Sequence, residues 1–277
     1  MKHYAVIGHP IGHTMSPFIH ARLFELSGIS ADYLVFDIPP AELAARFEDT
    51  LKKLDGFNIT IPHKQAIIPL LDALDPQAAL YGSVNTVSNT GIYKGYTTDP
   101  DGFVAALQSE NIPLSGRTVI LGCGGVARVM AYEAVRRGAD LTFAIRAEDK
   151  ELCAALIADI NKNFPEAKVS VCLLTEISGD IDLLVNATPL GMFPKTEVCP
   201  VEDKVISRSA AVFDAVYNPL ETVLIKKAAA NGSRALGGMS MLVYQAVSAH
   251  TIWDGSVYEK EAIDEICRAA SAELAQK

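Results

Sequence analysis

Along the first hundred residues the apolar positions change period repeatedly. "HYAVIGHP" and "ADYLVFDI" read as strands, and "GFNITIP" alternates apolar and polar positions as a pleated strand does. "SPFIHARLFELSG", "PAELAARFEDTLKKL" and "HKQAIIPLLDAL" carry the three-to-four spacing of helices. "GSVNTVSN" and "GIYKGYTT" then predict a strand pair. Strands interleaved with helices predict an α/β sheet, not a sandwich.

A second unit is predicted from about Gly116. "RTVILG" reads as a buried strand and "CGGVARVMAYEAVRRG" as a helix closed by glycine. Four more strands are expected in "ADLTFAI", "AKVSVCL", "DIDLLVNAT" and "AAVFDAVY", which together form an open, mostly parallel sheet. After "SRALGG" the pattern becomes helical, with Met239, Leu242, Val243, Ala246, Val247 and Trp253 on one face and a last helix through "EAIDEICRAASAELA". The fold class expected is therefore two-domain α/β. Residues 1–100, with 237–277 packing back on them, form one domain, residues 101–236 form a Rossmann-like dinucleotide-binding domain, and a cleft lies between the two.

Composition narrows the partners. Apolar residues make up 49% of the 277 and charged residues 21%, enough for a sizeable core. A formal charge of −9 disfavours a nucleic-acid partner, whose phosphates call for clustered Lys and Arg. No run of about 18 uncharged apolar residues appears, and "MKHYAVIGHP" leads straight into a strand. The expectation is a cytoplasmic chain with no membrane span and no signal peptide. Cys123, Cys153, Cys172, Cys199 and Cys267 are odd in number and form no C-x-x-C pair, as expected of reduced thiols. His13, His20 and His63 fit no metal-binding spacing and are read as structural or surface residues, so no metal is expected.

The strongest chemical signal from the residues alone is "VILGCGGVARVM". Gly122, Gly124 and Ala127 fill G-x-G-x-x-G/A between a strand and a helix. The first permits a tight turn, the second lets a diphosphate approach the backbone, and the third allows helix and strand to pack closely. At the end of the next strand, "FAIRAED" offers Arg146, which favours the 2′-phosphate of NADP, and Glu148, which favours the ribose hydroxyls of NAD. Both are present, so the cofactor is NADP or NAD.

Taken in order, "GHPIGHTMSPFIH", "GFNITIPHK", "GSVNTV", "GYTTDPDGF", "LGCGGVAR", "VNATPLGM", "DAVYNP" and "GGMSMLVYQAV" resemble the shikimate dehydrogenase family, including its quinate/shikimate branch. The resemblance spans nearly the whole chain. It implies reversible hydride transfer between a nicotinamide cofactor and a small polyol carboxylate, interconverting 3-dehydroshikimate and shikimate and, in the related branch, 3-dehydroquinate and quinate. It implies that Lys64 transfers the proton and that Asp99 is its carboxylate partner. Thr14 and Ser16 match the hydroxyls that hold the substrate carboxylate, and Thr60, Asn85, Tyr217 and Gln245 match further substrate contacts. Gly122, Cys123, Gly124, Gly125, Val126, Arg146, Ala215 and Gly238 match cofactor positions, and Glu148 stands where NAD-using relatives carry an acid. The state expected is a monomer or homodimer.

The chemistry explains the lysine beyond "GFNITIP". Moving a hydride to or from a secondary alcohol carbon requires a proton to move at its oxygen, from an acid–base group within about 3 Å. A lysine fixed at a rigid strand end suits that task better than one on a mobile loop. Asp99 has a second reading, as the N-cap of a helix starting near Pro100. Several positions depart from the family pattern. Thr14 replaces serine, Thr97 replaces the asparagine of N-T-D, His250 replaces an aromatic, and Ile145 and Ala147 flank Arg146 where asparagine and threonine are usual. They touch substrate and cofactor selection and spare the Lys64–Asp99 pair. Two other readings stay open: an enzyme like methylene-tetrahydrofolate dehydrogenase, and a non-catalytic sensor of a shikimate-type ligand.

Overall fold

Strand and helix alternate from the first residues onward in the computed structural model, which describes residues 1–12 and 14–276. The chain runs through β1 (Lys2–Gly8), α1 (Ser16–Ser27), β2 (Ala31–Asp37), α2 (Leu43–Asp49), β3 (Gly56–Ile59), α3 (His63–Ala66), β4 (Ala73–Leu74), α4 (Pro76–Tyr81), β5 (Thr86–Asn89), β6 (Tyr93–Tyr96) and α5 (Asp99–Ser109). It continues through β7 (Arg117–Leu121), α6 (Gly125–Arg136), β8 (Asp140–Ile145), α7 (Lys150–Asn163), β9 (Val169–Leu173), β10 (Ile181–Asn186), α8 (Asp203–Ile206), β11 (Ser209–Asp214), α9 (Val223–Ala230) and β12 (Arg234–Gly237). Two helices, α10 (Met239–Asp254) and α11 (Lys260–Leu274), follow. Two compact units result: Met1–Gly102 with Val243–Lys277, and Phe103–Leu242.

The first unit holds a mixed six-stranded sheet in the order β2-β1-β3-β5-β6-β4. β1 pairs parallel with β2 and β3, and β5 pairs antiparallel with β3 and β6. β3 is buried along its whole length, which suits its central place. Ala5, Ile7, Phe57, Ile59, Leu43, Phe47, Leu51 and Val87 pack as one core. Elsewhere in the unit, the Tyr4 ring stacks on Trp253 of α10 with centroids 4.4 Å apart, and the Trp253 indole donates to the Val87 carbonyl at 2.9 Å. His250, in place of an aromatic, joins this cluster. His20 Nδ1 and His250 Nε2 are 3.1 Å apart, and the other His250 nitrogen meets the Tyr258 hydroxyl at 2.9 Å. Tyr258 in turn donates to the Leu23 carbonyl at 3.0 Å. That leaves the His250 Nδ1–H as donor to Tyr258, and His20 Nδ1–H as donor to His250.

The second unit holds a six-stranded sheet, β12-β11-β10-β7-β8-β9, in which every neighbour is parallel. Its interior strands are nearly continuous runs of buried Val, Ile, Leu and Phe, as sheets covered on both faces require.

Three expectations from the pattern change. "HKQAIIPLLDAL" is not one helix. Pro69 has no N–H for the ladder, so α3 stops at Ala66, a 3₁₀ turn spans Ile68–Leu70, and Ala73–Leu74 pairs with β6. "PAELAARFEDTLKKL" breaks at Thr50, which leaves the helical region at φ −125°, and a 3₁₀ turn then carries Leu51 into the core. "SRALGG" is no mere lead-in to a helix: Arg234–Gly237 is the edge strand β12, paired with β11.

Candidate active site

β3 delivers the chain to Thr60 and Pro62, and Lys64 follows on the first turn of α3. The Lys64 backbone is pinned there, because its carbonyl accepts from Val84 N at 2.8 Å, next to Asn85. From this position Lys64 Nζ donates to Asp99 Oδ2 at 2.6 Å. The lysine side chain keeps 27% of its surface exposed and the aspartate 10%, so the pair is sheltered yet open on the amine side. An ammonium has three donors and Asp99 takes one. The other aspartate oxygen, Oδ1, accepts from Asn85 Nδ2 at 2.8 Å. Asp99 stands inside the first turn of α5, with both oxygens taken by side chains from other elements.

Asn85 is the junction of the site. Its Oδ1 accepts from Thr98 N at 2.7 Å and from the Thr86 hydroxyl at 3.1 Å. Gln245, from α10, brings Oε1 to 3.4 Å from the Thr98 hydroxyl and 3.5 Å from Asn85 Nδ2. Thr14 and Ser16 form a second cluster at the start of α1, with Thr14 Oγ1 donating to Ser16 Oγ at 3.1 Å and accepting from Ser16 N at 3.2 Å. Thr60 closes β3, its methyl lying against Gly8. Thr97 Oγ1 is buried with no hydrogen-bond partner. The first unit thus brings Lys64, Asp99, Asn85 and Gln245 together. Thr86, Thr98, Asn58 and Tyr33 join their hydrogen-bond network without having been singled out in the sequence. Thr98 lies inside the "TTD" block and carried a readable signal there, whereas Tyr33 looks like any strand aromatic.

In the second unit Gly122 ends β7 at φ +87°, where a Cβ would be strained and would meet Thr188 Cγ2 at 2.9 Å. Gly124 is the N-cap of α6 and supplies no side-chain cap, so the helix start presents N–H groups and a positive dipole end. A Cβ on Gly124 or Gly125 would meet nothing within 4 Å. Open space over uncapped N–H donors fits a diphosphate, with Cys123, Gly124, Gly125 and Val126 as its cradle. Cys123 itself is buried, and burial pushes its thiol up, so it is a packing residue here and not a nucleophile.

Arg146 and Glu148, read as rivals from the sequence, form an ion pair: Arg146 Nη1 lies 3.2 Å from Glu148. The sequence reading passed over Asp149, which accepts from Arg146 Nε at 2.8 Å and from Nη2 at 3.1 Å. Ala215 and Gly238 lie at the ends of β11 and β12, where Gly238 N donates to the Val216 carbonyl at 3.1 Å. A Cβ on Gly238 would collide with the Ala215 carbonyl. The turn carrying Ala215 and Tyr217 is fixed by buried Asp214, which accepts from Asn186 Nδ2 (2.9 Å), Val216 N (3.0 Å) and Thr222 Oγ1 (2.6 Å). Burial holds the Asp214 carboxyl above its ordinary range, with these three donors only partly opposing the rise. Tyr217 belongs to this second unit, and burial raises its phenol.

Among the described residues no cluster of three or more His, Cys, Asp or Glu is placed to hold a metal, and no helix is long and apolar enough to cross a membrane. His20 and His63 are buried, the latter bonded to the Ile38 carbonyl at 2.7 Å, and His13 lies outside the described residues.

Known proteins resemble this chain along nearly its whole length. A family model described as the shikimate dehydrogenase substrate binding domain matches residues 6–87, within the first unit. The shikimate dehydrogenase (NADP(+)) of Caldanaerobacter subterraneus subsp. tengcongensis is 37% identical over 274 residues, covering 96% of each chain. That of Moorella thermoacetica is 39% identical over 277 residues, covering 96% of this chain and 92% of the relative. Among solved structures, shikimate 5-dehydrogenase of Thermus thermophilus, in complex with NADP(H) and shikimate, superposes with a TM-score of 0.87 at 31% identity, covering 98% of this chain and all of its own. With identity at this level running end to end over both units, the chain belongs to the shikimate dehydrogenase family.

Proposed function

We propose that the chain is an oxidoreductase acting on the CH–OH group, which interconverts shikimate and 3-dehydroshikimate with NADP or NAD and takes the quinate pair as a secondary substrate. The observation that carries the assignment of roles is the Lys64–Asp99 contact at 2.6 Å, with Asn85 on the opposite aspartate oxygen. In the reducing direction the Lys64 ammonium gives a proton to the carbonyl oxygen as the adjacent carbon receives hydride. In the oxidising direction the amine takes the hydroxyl proton as hydride leaves. Asp99 aims the amine and balances its charge. A bound nicotinamide dinucleotide would supply or accept the hydride, with Gly122 to Val126 holding its diphosphate and Ala215 and Gly238 at the same end of the second sheet.

Thr14 and Ser16 supply short hydroxyl donors for the substrate carboxylate, and Thr60, Asn85, Tyr217 and Gln245 supply further contacts to its ring hydroxyls and carboxylate. A site built from hydroxyls and amides suits a small carboxylated polyol better than a folate, which disfavours the methylene-tetrahydrofolate reading. A pure sensor has no need of a proton-transferring pair. The scattered free thiols support a reducing, cytoplasmic setting, and a monomer or homodimer serves this chemistry equally.

The test is direct. Purified protein is mixed with shikimate or quinate and each of NAD and NADP, and reduced nicotinamide is followed by absorbance. Turnover of shikimate that Lys64→Ala abolishes while shikimate still binds supports the reading. Binding without turnover in every combination supports the sensor, and oxidation of methylene-tetrahydrofolate alone supports the other enzyme.

A further inference from the structure

Asn186 ends β10 fully buried, level with Asp214 at the end of β11 and with Leu121 at the end of β7. An amide closing a mostly apolar strand has to find its hydrogen bonds inside the protein. Its Nδ2 donates to Asp214 Oδ1 at 2.9 Å and to the Leu190 carbonyl at 3.2 Å. Its Oδ1 accepts from Thr188 N at 3.1 Å and from the Thr188 hydroxyl at 2.6 Å. Every donor and acceptor place of the amide is filled.

Two loops hang on that side chain. In the loop after β10 the Thr188 hydroxyl also accepts from Leu190 N at 3.2 Å, so the chain folds back tightly between 186 and 190. The Thr188 methyl lies 2.9 Å from where a Cβ on Gly122 would stand, so its position bears on the glycine turn. In the turn after β11, Ala215 N donates to the Asn186 carbonyl at 2.9 Å. Asp214, held by Asn186, gathers Val216 N at 3.0 Å and the Thr222 hydroxyl at 2.6 Å. Phe193 N then donates to the Asn218 carbonyl at 3.0 Å and ties the two loops together once more.

Strand order tells which part of a dinucleotide these loops meet. The order reverses between β7 and β10, and a dinucleotide lies across such a point. Arg146 and Glu148 follow β8, on the side of the adenosine ribose, which leaves the ends of β10 and β11 for the nicotinamide half. We propose that Asn186 is a positioning residue for that half: it holds Thr188 on one side and Asp214 on the other, and so keeps the loop after β10 and the Ala215–Tyr217 turn in one arrangement. Being fully buried, it acts only through these neighbours. The inference rests on the dinucleotide-dependent function proposed above.

Titrations of NADPH and of 2′-phospho-ADP-ribose, which lacks only the nicotinamide, test it. Asn186→Ala should weaken NADPH about tenfold, as loss of buried hydrogen bonds implies, and shrink the change in nicotinamide emission on binding. The fragment's Kd should move by less than about twofold, whereas general loosening of the fold would weaken both ligands alike. Thr188→Val keeps the methyl against Gly122 and deletes only the hydroxyl, and should shift NADPH the same way by about threefold. Should Asn186→Ala unfold below assay temperature, Thr188→Val carries the test with the same outcomes. Equal losses for NADPH and the fragment, unchanged NADPH binding in the variants, or a wild type that grips both ligands equally overturn the proposal. If the wild type takes NADH instead, the pair compared is NADH and ADP-ribose. Wild-type turnover of shikimate upholds the function however the variants fall, and a wild type that binds neither reduced dinucleotide overturns both.

Discussion

Lys64 and Asp99 meet at 2.6 Å although 35 positions separate them in the chain. β3 leads to the first, on α3, and the end of the β5–β6 hairpin leads to the second, so two strand ends set the distance. Lys64→Ala and Asp99→Asn should each lower kcat by about 10²- to 10⁴-fold, the range for loss of a placed acid–base group. Shikimate affinity should change far less, because neither change touches the Thr14–Ser16 hydroxyls. Initial rates with titration calorimetry on the same preparations check this, and a Lys64→Ala protein retaining a tenth of wild-type kcat would remove the assignment.

Two glycines should behave in opposite ways. A Cβ on Gly124 meets no atom within 4 Å, so Gly124→Ala should leave the melting temperature nearly unchanged while weakening dinucleotide binding about tenfold or more. A Cβ on Gly238 runs into the Ala215 carbonyl, which belongs to backbone and cannot turn aside. Gly238→Ala should cost roughly 1–3 kcal/mol of stability, in the range of overpacked sites. Thermal melts with and without dinucleotide distinguish the two cases.

Cofactor choice should turn on three residues. Glu148→Ala is expected to weaken NAD more than NADP, and Arg146→Ala the reverse. Because Asp149 holds Arg146 through two of its nitrogens, Asp149→Ala should release the guanidinium and improve NADP binding relative to NAD. Dissociation constants for both dinucleotides check all three, and equal losses for both cofactors in the Arg146 and Glu148 variants would show that these residues do not discriminate.

Acid should weaken the first unit through its histidine pair. Burial lowers His250 from 6.5 to about 4, with Asp254 pulling the other way, and burial together with His250 holds His20 well below its ordinary value. Both rings stay neutral in the folded chain and protonate once unfolded. Below pH 6.5 the unfolded state therefore binds more protons, and stability is lost as pH falls toward 4. For His250 alone the full loss is on the order of 3 kcal/mol. His250→Phe should melt somewhat lower at pH 7.5, since His20 loses its acceptor, but its decline between pH 7 and pH 5 should be shallower. Calorimetric melting against pH measures the slope, and an unchanged slope would place the acid sensitivity elsewhere.

The sequence revealed the periodic parts of this protein and the short blocks whose chemistry is local. β1, β3, β7 and β10 declare themselves by apolar runs, and the Gly122–Ala127 loop by its spacing. β12 did not, because "RALG" has too few apolar positions and owes its strand form to pairing with β11. Lys64 and Asp99 could be named as partners through family likeness, but no local pattern tells that Asn85 holds the other aspartate oxygen. Tyr33 and Asn58 were harder still. Each reads as an ordinary strand residue, and only the folded sheet brings one to the other. Asp149 was overshadowed by Glu148, since which of two adjacent acids reaches Arg146 depends on the turn into α7.

The first compact unit is assembled from both ends of the chain, whereas Phe103–Leu242 is continuous. During synthesis on the ribosome the middle segment can therefore complete its sheet while the opening hundred residues still lack Gln245 and the Trp253 indole that caps Val87. Lys64 is translated early, but its surroundings are finished only when α10 emerges. A nascent chain stalled before Val243 would hold a complete second sheet and a first unit still lacking most of α10 and all of α11.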